Sequence, residues 1–160
     1  MRLRHELSYE ATPAEVFAML ADPAFREKVC AAQDVVSAAI DLTPTDTGFT
    51  LVNDQVQNTA GLPAIAKKIA GDTTRAVTTE NWTSATKGTL SISAPGKPTS
   101  ASGTITLTAA GASTTQVIEL EVKVKVPLIA GKLEALMGDQ ITAGYDVEQA
   151  VARAWLAGDR

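Results

Sequence analysis

One cysteine, Cys30, and one histidine, His5, are all that the 160 residues hold of either type. A lone thiol cannot close an intrachain disulfide, which excludes the stapled secreted scaffolds and points to a reducing, cytoplasmic setting. One His and one Cys cannot furnish a usual zinc site. Neither G-x-x-x-x-G-K nor the dinucleotide-binding glycine fingerprint occurs, so no metal and no cofactor is expected. Aromatic residues are scarce (two Trp, two Tyr, three Phe), and the interior must be filled by Val, Ile, Leu and Ala or left partly open. Basic residues do not dominate: 14 Lys and Arg stand against 18 Asp and Glu, giving a net charge of −4. That balance argues against a nucleic-acid binder, which would show a basic face. No apolar run reaches the ~18 residues of a membrane span, so no integral membrane association is expected. Met1-Arg-Leu-Arg-His5 enters a strand pattern directly, with no secretory apolar region.

What the chain does have is a long amphipathic segment at its end, from Pro127 to Leu156. Ile129, Leu133, Leu136, Met137, Val147, Val151, Ala154 and Trp155 recur at three- and four-residue steps, with Lys132, Asp139, Asp146, Gln149 and Arg153 on the other side. Pro127 suits the first helical turn. Such a helix is roughly 40 Å long and needs a broad surface to lie against. The earlier chain supplies one. Leu3, His5, Leu7 and Tyr9 alternate with polar residues as a half-buried strand. Thr12-Pro13-Ala14-Glu15 forms a capping box, and Asp22-Pro23 starts a second short helix to about Ala32, with Phe25, Val29 and Cys30 inward. Strand patterns follow over 35–42, 49–56, 73–82, 89–94, 100–109 and 114–126, with a small helix over 63–70 and turn signals at Thr43–Gly48 and Pro95–Pro98. Short connections between successive strands imply an antiparallel sheet, and the whole chain, 1–160, reads as one domain.

This order resembles the helix-grip fold of the START-like superfamily, which includes polyketide cyclases, lipid-transfer domains and the birch-pollen allergen class. The resemblance runs over essentially the whole chain and looks closest to an uncharacterised actinobacterial branch, domain of unknown function 2505. Phe17-Ala-Met-Leu-Ala-Asp-Pro-Ala-Phe-Arg26 near the start carries it, with Gly131-Lys-Leu-Glu134 through Trp155-Leu156 at the end, Leu62-Pro63 and Trp82. It implies an α+β fold in which a seven-stranded curved antiparallel sheet wraps around the C-terminal helix, with two short helices after the first strand. It also implies an internal cavity for an apolar or amphipathic small molecule between sheet and helix. The superfamily has no universal catalytic motif to carry over, so the resemblance names no chemistry.

Candidate cavity residues follow from facing. His5 shares its strand face with Leu3, Leu7 and Tyr9 and is either an acid–base group or a hydrogen-bonded core or rim residue. Phe49, Leu51, Asn53 and Gln55 share one face of their strand. If that face is inward, the two amides are polar anchors in an apolar site; in the opposite register they are solvated and Val52 and Val56 line the core. Glu80 and Trp82 carry the same ambiguity. On the last helix, Leu133 and Met137 lie on the apolar stripe with Gly144, whose missing side chain serves close packing, a kink or cavity room. Gln140 falls in the middle of that stripe, where an unpaired amide costs roughly 1–3 kcal/mol and so needs a backbone group, a water or a ligand. Cys30 reads as an inert small hydrophobe. Ser84-Ala-Thr-Lys87 spells S-x-x-K between strands, outside the buried helix that motif needs. The expected function is non-enzymatic binding or carriage of a hydrophobic or amphipathic small molecule or lipid. The alternatives are a polyketide cyclase/aromatase-like enzyme, which the absence of clustered acid–base residues disfavours, and a protein-interaction module.

Overall fold

The computed structural model describes residues 1–160. The elements are β1 (Arg2–Tyr9), α1 (Pro13–Leu20), α2 (Pro23–Ala32), β2 (Ser37–Pro44), β3 (Phe49–Asn58), α3 (Ala64–Ala70), β4 (Thr73–Trp82), β5 (Lys87–Ser93), β6 (Thr99–Ala110), β7 (Ser113–Val124) and α4 (Ala130–Leu156). The strands form one antiparallel seven-stranded sheet in the order β1-β7-β6-β5-β4-β3-β2. The chain therefore leaves one edge after β1, crosses through α1 and α2, and returns along the opposite edge before walking back strand by strand. This is the START-like helix-grip architecture.

Local chemistry explains the helix starts. Thr12 and Glu15 make the reciprocal capping box, Asp22 accepts from the Ala24 N–H, and proline occupies the first turn of both α1 and α2. β2 lies two residues later than the sequence pattern suggested, over Ser37–Pro44, and Val36 is left exposed. As an edge strand β2 pairs only with β3, so its register follows the turn at the hairpin tip, where the Thr45 N–H donates to the Gly48 carbonyl at 2.9 Å.

The last helix departs from expectation in two ways. It begins at Ala130 and not at Pro127, because Leu128 takes a left-handed φ of 70° that ends the connection from β7 before helical geometry starts. Its buried face is also rotated. Leu133, Gly138, Glu148, Ala152 and Trp155 are buried, while Val147, Val151 and Ala154 are only half-buried and Gln140 is exposed. At 100° per residue the buried stripe centres roughly 80° away from the apolar one. Leu136 and Val147 line an open cavity and so stay half-buried, while the charged Glu148 takes a buried position beside them.

The core fills the closed end of the grip. Leu7, Tyr9, Val16, Leu20, Phe25, Phe49, Leu51, Trp82, Ile105, Ile118, Val122 and Trp155 belong to one apolar cluster. Five of the aromatic rings gather at this end: Phe49 stacks on Trp82 with centroids 5.6 Å apart, Phe17 meets both, and Phe25 meets Trp155 edge-on at 5.6 Å. Gly103 permits the close approach of β6 and β7, since a β-carbon there would stand 1.8 Å from the Glu119 carbonyl oxygen. No helix is long and apolar enough to cross a membrane.

Candidate functional site

Between α4 and the concave face of the sheet lies a cavity of about 480 Å³, within the range of small-molecule sites. Its roof is α4, through Leu133, Leu136, Met137, Ile141 and Gly144. Its floor is the inward face of β3 and β4, through Asn53, Gln55, Ala76 and Thr78, and α3 flanks its mouth with Leu62, Ala66 and Ile69. Small residues on β4 and a glycine on α4 leave this volume open where larger side chains would close it. At the opposite end the stacked aromatic residues fill the grip completely.

Where the open half meets the packed half, the cavity ends in charge. Arg26 on α2 donates two parallel hydrogen bonds to the Glu80 carboxylate on β4, at 2.9 and 3.0 Å, and its Nε donates to the Leu20 carbonyl at 2.8 Å. The Trp82 indole N–H donates to the same carboxylate at 2.8 Å, and Phe49 lies under the guanidinium with its centroid 5.9 Å away. Glu148 on α4 approaches Arg26 less closely, 3.7 Å from Nη1. All three charged residues are at most 6% exposed and line the cavity. Arg26 and Glu80 thus complete each other. Glu148 is the surplus acid: its Oε2 has no hydrogen-bond partner, and the Tyr9 hydroxyl and Gln116 Oε1 are likewise unpartnered.

Burial governs the titration of this cluster. Withdrawal from water raises the Glu148 pKa to about 7, with Arg26 opposing the rise, the Glu80 charge adding to it and the Gln116 amide opposing it. The Tyr9 and Tyr145 hydroxyls are pushed up by burial and then by Glu148. Burial opposes the Arg26 charge, but Glu80 and Glu148 together outweigh it and hold the guanidinium protonated. The arrangement is one fixed cation, one carboxylate committed to it, and one carboxyl whose charge is free to change.

A second polar group sits on the side wall. Gln55 Nε2 donates to Gln33 Oε1 and to the Cys30 sulfur, both at 3.2 Å, and Gln57 donates to Gln55 Oε1 at 2.9 Å. Gln33 Nε2 in turn donates to the Gly144 carbonyl at 3.1 Å, tying α2 to α4. Cys30 is a buried neighbour of two amides, in place of the purely apolar packing expected of it.

Of the residues singled out from sequence, Asn53, Gln55, Leu133, Met137, Gln140 and Gly144 line the cavity. The face of β3 carrying Phe49, Leu51 and Gln55 is the inward one, and Glu80 with Trp82 faces inward on β4. Phe49, Leu51 and Trp82 are nonetheless core residues at the filled end and do not line the open volume. Gln140 stands at the rim, exposed, and not buried mid-stripe. His5 is outside the cavity: it pairs with the exposed Asp146 across the β1–α4 seam, Nε2 to Oδ1 at 2.9 Å. Arg26, Glu148, Tyr9 and Gln116 were missed. Their signal in the sequence is slight, being charged or polar residues at positions that share a face with apolar ones, such as Arg26 three and four residues before Val29 and Cys30 and Glu148 four residues before Ala152. No group of three His, Cys, Asp or Glu side chains is placed to hold a metal ion.

Solved structures share this fold. The Zhui aromatase/cyclase from Streptomyces sp. R1128 superposes with a TM-score of 0.66 at 13% identity, covering 100% of this chain and 99% of that one. A norcoclaurine synthase from Thalictrum flavum gives 0.63 at 15% identity, covering 100% and 94%. A START superfamily protein from Mycobacterium smegmatis gives 0.60 at 13% identity, covering 93% and 94%. At these identities the likeness is one of fold alone. No curated protein matches by sequence. The family model described as "Protein of unknown function (DUF2505)" matches residues 4–156, and the chain belongs to that family.

Proposed function

We propose that this protein binds a hydrophobic or amphipathic small molecule or lipid in the cavity beneath α4 and carries it without chemical change. The observation that supports this most directly is the open volume of about 480 Å³ between sheet and helix, walled by Leu62, Ile69, Leu133, Met137 and Ile141. A protein that kept such a volume empty would forgo the dispersion contacts of a close-packed interior, at a cost in stability that a ligand repays. The test is titration with N-phenyl-1-naphthylamine, a neutral apolar dye that brightens out of water. The wild type is expected to give a saturable one-to-one enhancement. Met137→Trp, which fills the roof, should abolish that enhancement while leaving the cooperative melt in place. No enhancement in the wild type, or an equal one in Met137→Trp, overturns the carrier reading.

One observation favours a second reading, an aromatase/cyclase-like enzyme. Glu148 lines the cavity with a pKa of about 7, the range in which a carboxyl both gives and takes a proton. A protein that turned over a reactive poly-β-carbonyl chain and lost turnover, but not binding, in Glu148→Gln would decide for the enzyme. Unchanged ligand recovered after incubation decides for the carrier.

A further inference from the structure

The charges at the cavity's inner end do not balance. Two carboxylates, Glu80 and Glu148, face a single guanidinium. Arg26 is committed to Glu80 and the Leu20 carbonyl, which take three of its five N–H donors in one fixed geometry. At 3.7 Å the Glu148 oxygen is beyond hydrogen-bond reach of Arg26, and the other oxygen has no partner at all. A buried carboxylate left in this condition is costly, and the same principle says what relieves it: a donor, preferably a cationic one, delivered from the cavity side. We infer that the cavity selects ligands with a protonated amine at one end of an apolar body, the ammonium seating against Glu148 and the tail running beneath α4 toward the mouth by α3. This rests on the carrier reading above and names the ligand class it requires.

The surroundings of Glu148 fit such a guest. The groups that face it are Tyr9 from β1, Arg26 from α2, Glu80 from β4, Gln116 from β7 and Tyr145 from its own helix. Only one is a cation, and it is already engaged. Tyr9 and Tyr145 both stay neutral, because burial and Glu148 raise their pKa values. An incoming carboxylate would meet two acids and one spent base. An alcohol could donate a hydrogen bond but would leave the excess negative charge uncompensated. The ammonium answers both deficits.

Protonation sets the direction of the pH dependence. Below pH 7 Glu148 holds a proton and the cluster is neutral without a guest; above pH 7 it is ionised and calls for a cation. An alkylammonium, charged throughout this range, therefore competes with a proton for one site and binds more tightly as pH rises, to a plateau above about pH 8.

The experiment displaces N-phenyl-1-naphthylamine with decylamine, decanol and decanoic acid, which share one chain length, at pH 5.5 and pH 8. At pH 8 decylamine should displace the dye at a concentration roughly tenfold or more below decanol, a difference of about 1.4 kcal/mol. Decanoic acid should be the weakest of the three. The amine's advantage should shrink at pH 5.5 and fall to within about threefold in Glu148→Gln, which keeps the shape and removes the charge. The pH comparison uses the wild type alone, so it decides even if the variant folds poorly. Equal displacement by all three, or a preference for the acid, overturns the amine inference and leaves the carrier reading standing. Failure of the dye and every decyl compound to bind removes the carrier reading itself.

Discussion

Replacing Arg26 by methionine should be among the most damaging single changes to this protein, and the structure says by how much. The substitution keeps an unbranched stem of similar length and removes the guanidinium. Three hydrogen bonds disappear, two to Glu80 and one to the Leu20 carbonyl, together with the ion contact to Glu148 at 3.7 Å. What remains is two carboxyl groups in one dry pocket without a counter-charge. Breaking a buried ion pair by deleting one partner costs about 3–5 kcal/mol, most of it the penalty of the stranded charge. For a chain of this size that lowers the melting temperature by about 10 °C. Arg4→Met is the control: Arg4 and Glu119 pair at 3.0 Å, but both side chains are 57% exposed, and exposed pairs contribute under about 1 kcal/mol. Combining Arg26→Met with Glu80→Gln removes the stranded charge while keeping an acceptor for the Trp82 indole N–H. The double variant should regain a substantial part of the loss, so that the two substitutions are strongly non-additive. Urea denaturation followed by the fluorescence of Trp82 and Trp155 reads the wild type, Arg26→Met, Arg4→Met, Glu80→Gln alone and the double variant. If Arg26→Met costs no more than Arg4→Met, or if the two losses add, the guanidinium is not the buried hub described here.

Glu148 makes stability depend on pH in the direction opposite to ordinary acid denaturation. Its folded pKa of about 7 lies above its unfolded value of 4.5, so the folded state holds the proton more tightly; the benefit is fully present below pH 4.5 and is lost as pH rises through 7. Between pH 5 and pH 8 the unfolding free energy should fall by about 2–3 kcal/mol, and Glu148→Gln should flatten that slope; parallel urea curves for wild type and variant would refute it. Gly103→Ala should cost more than about 2 kcal/mol or prevent folding, because the new methyl collides with the Glu119 carbonyl and forces β6 away from β7. A soluble, wild-type-like melt for Gly103→Ala would refute that close approach of the two strands.

How much of this the sequence disclosed depended on whether a feature is local. The helix starts at Thr12 and Asp22 were legible because their caps are satisfied within three residues. The strands of the sheet were legible because alternation survives even where only one face is covered, as in β1 and β7. The inward face of β3 could not be read from β3 alone. Its pattern offers Phe49 and Leu51 on one side and Val52 and Val56 on the other, and only packing against the two short helices chooses between them. The charged end of the cavity was illegible for a stronger reason. Arg26 and Glu80 stand 54 positions apart, and neither the helix of one nor the ambiguous strand face of the other names its partner until the fold brings them together.

The same blindness explains the misjudged face of α4, and it bears on function. A scheme that counts apolar residues rotates the helix until Leu136, Val147, Val151 and Ala154 are deepest. The fold turns Glu148 inward beside them, and Leu136 and Val147 are half-buried because they line the open cavity. Hydrophobic burial alone favours the other rotation, since each methylene taken from water contributes about 0.8 kcal/mol and a carboxyl opposes burial. Two structural features accompany the observed one. Glu148 enters a pocket that already holds Arg26, so part of its cost is offset by the cation. Ala152 and Gly138 bring small surfaces against α1, β1 and Met1, allowing the helix to lie close where a ring of leucines would hold it away. A helix oriented only for stability would have rested its aliphatic side on the sheet, whereas Leu136 and Val147 face open space. This one presents a titratable acid to the inner end of an open volume, which is the geometry expected when the interior is kept for a guest.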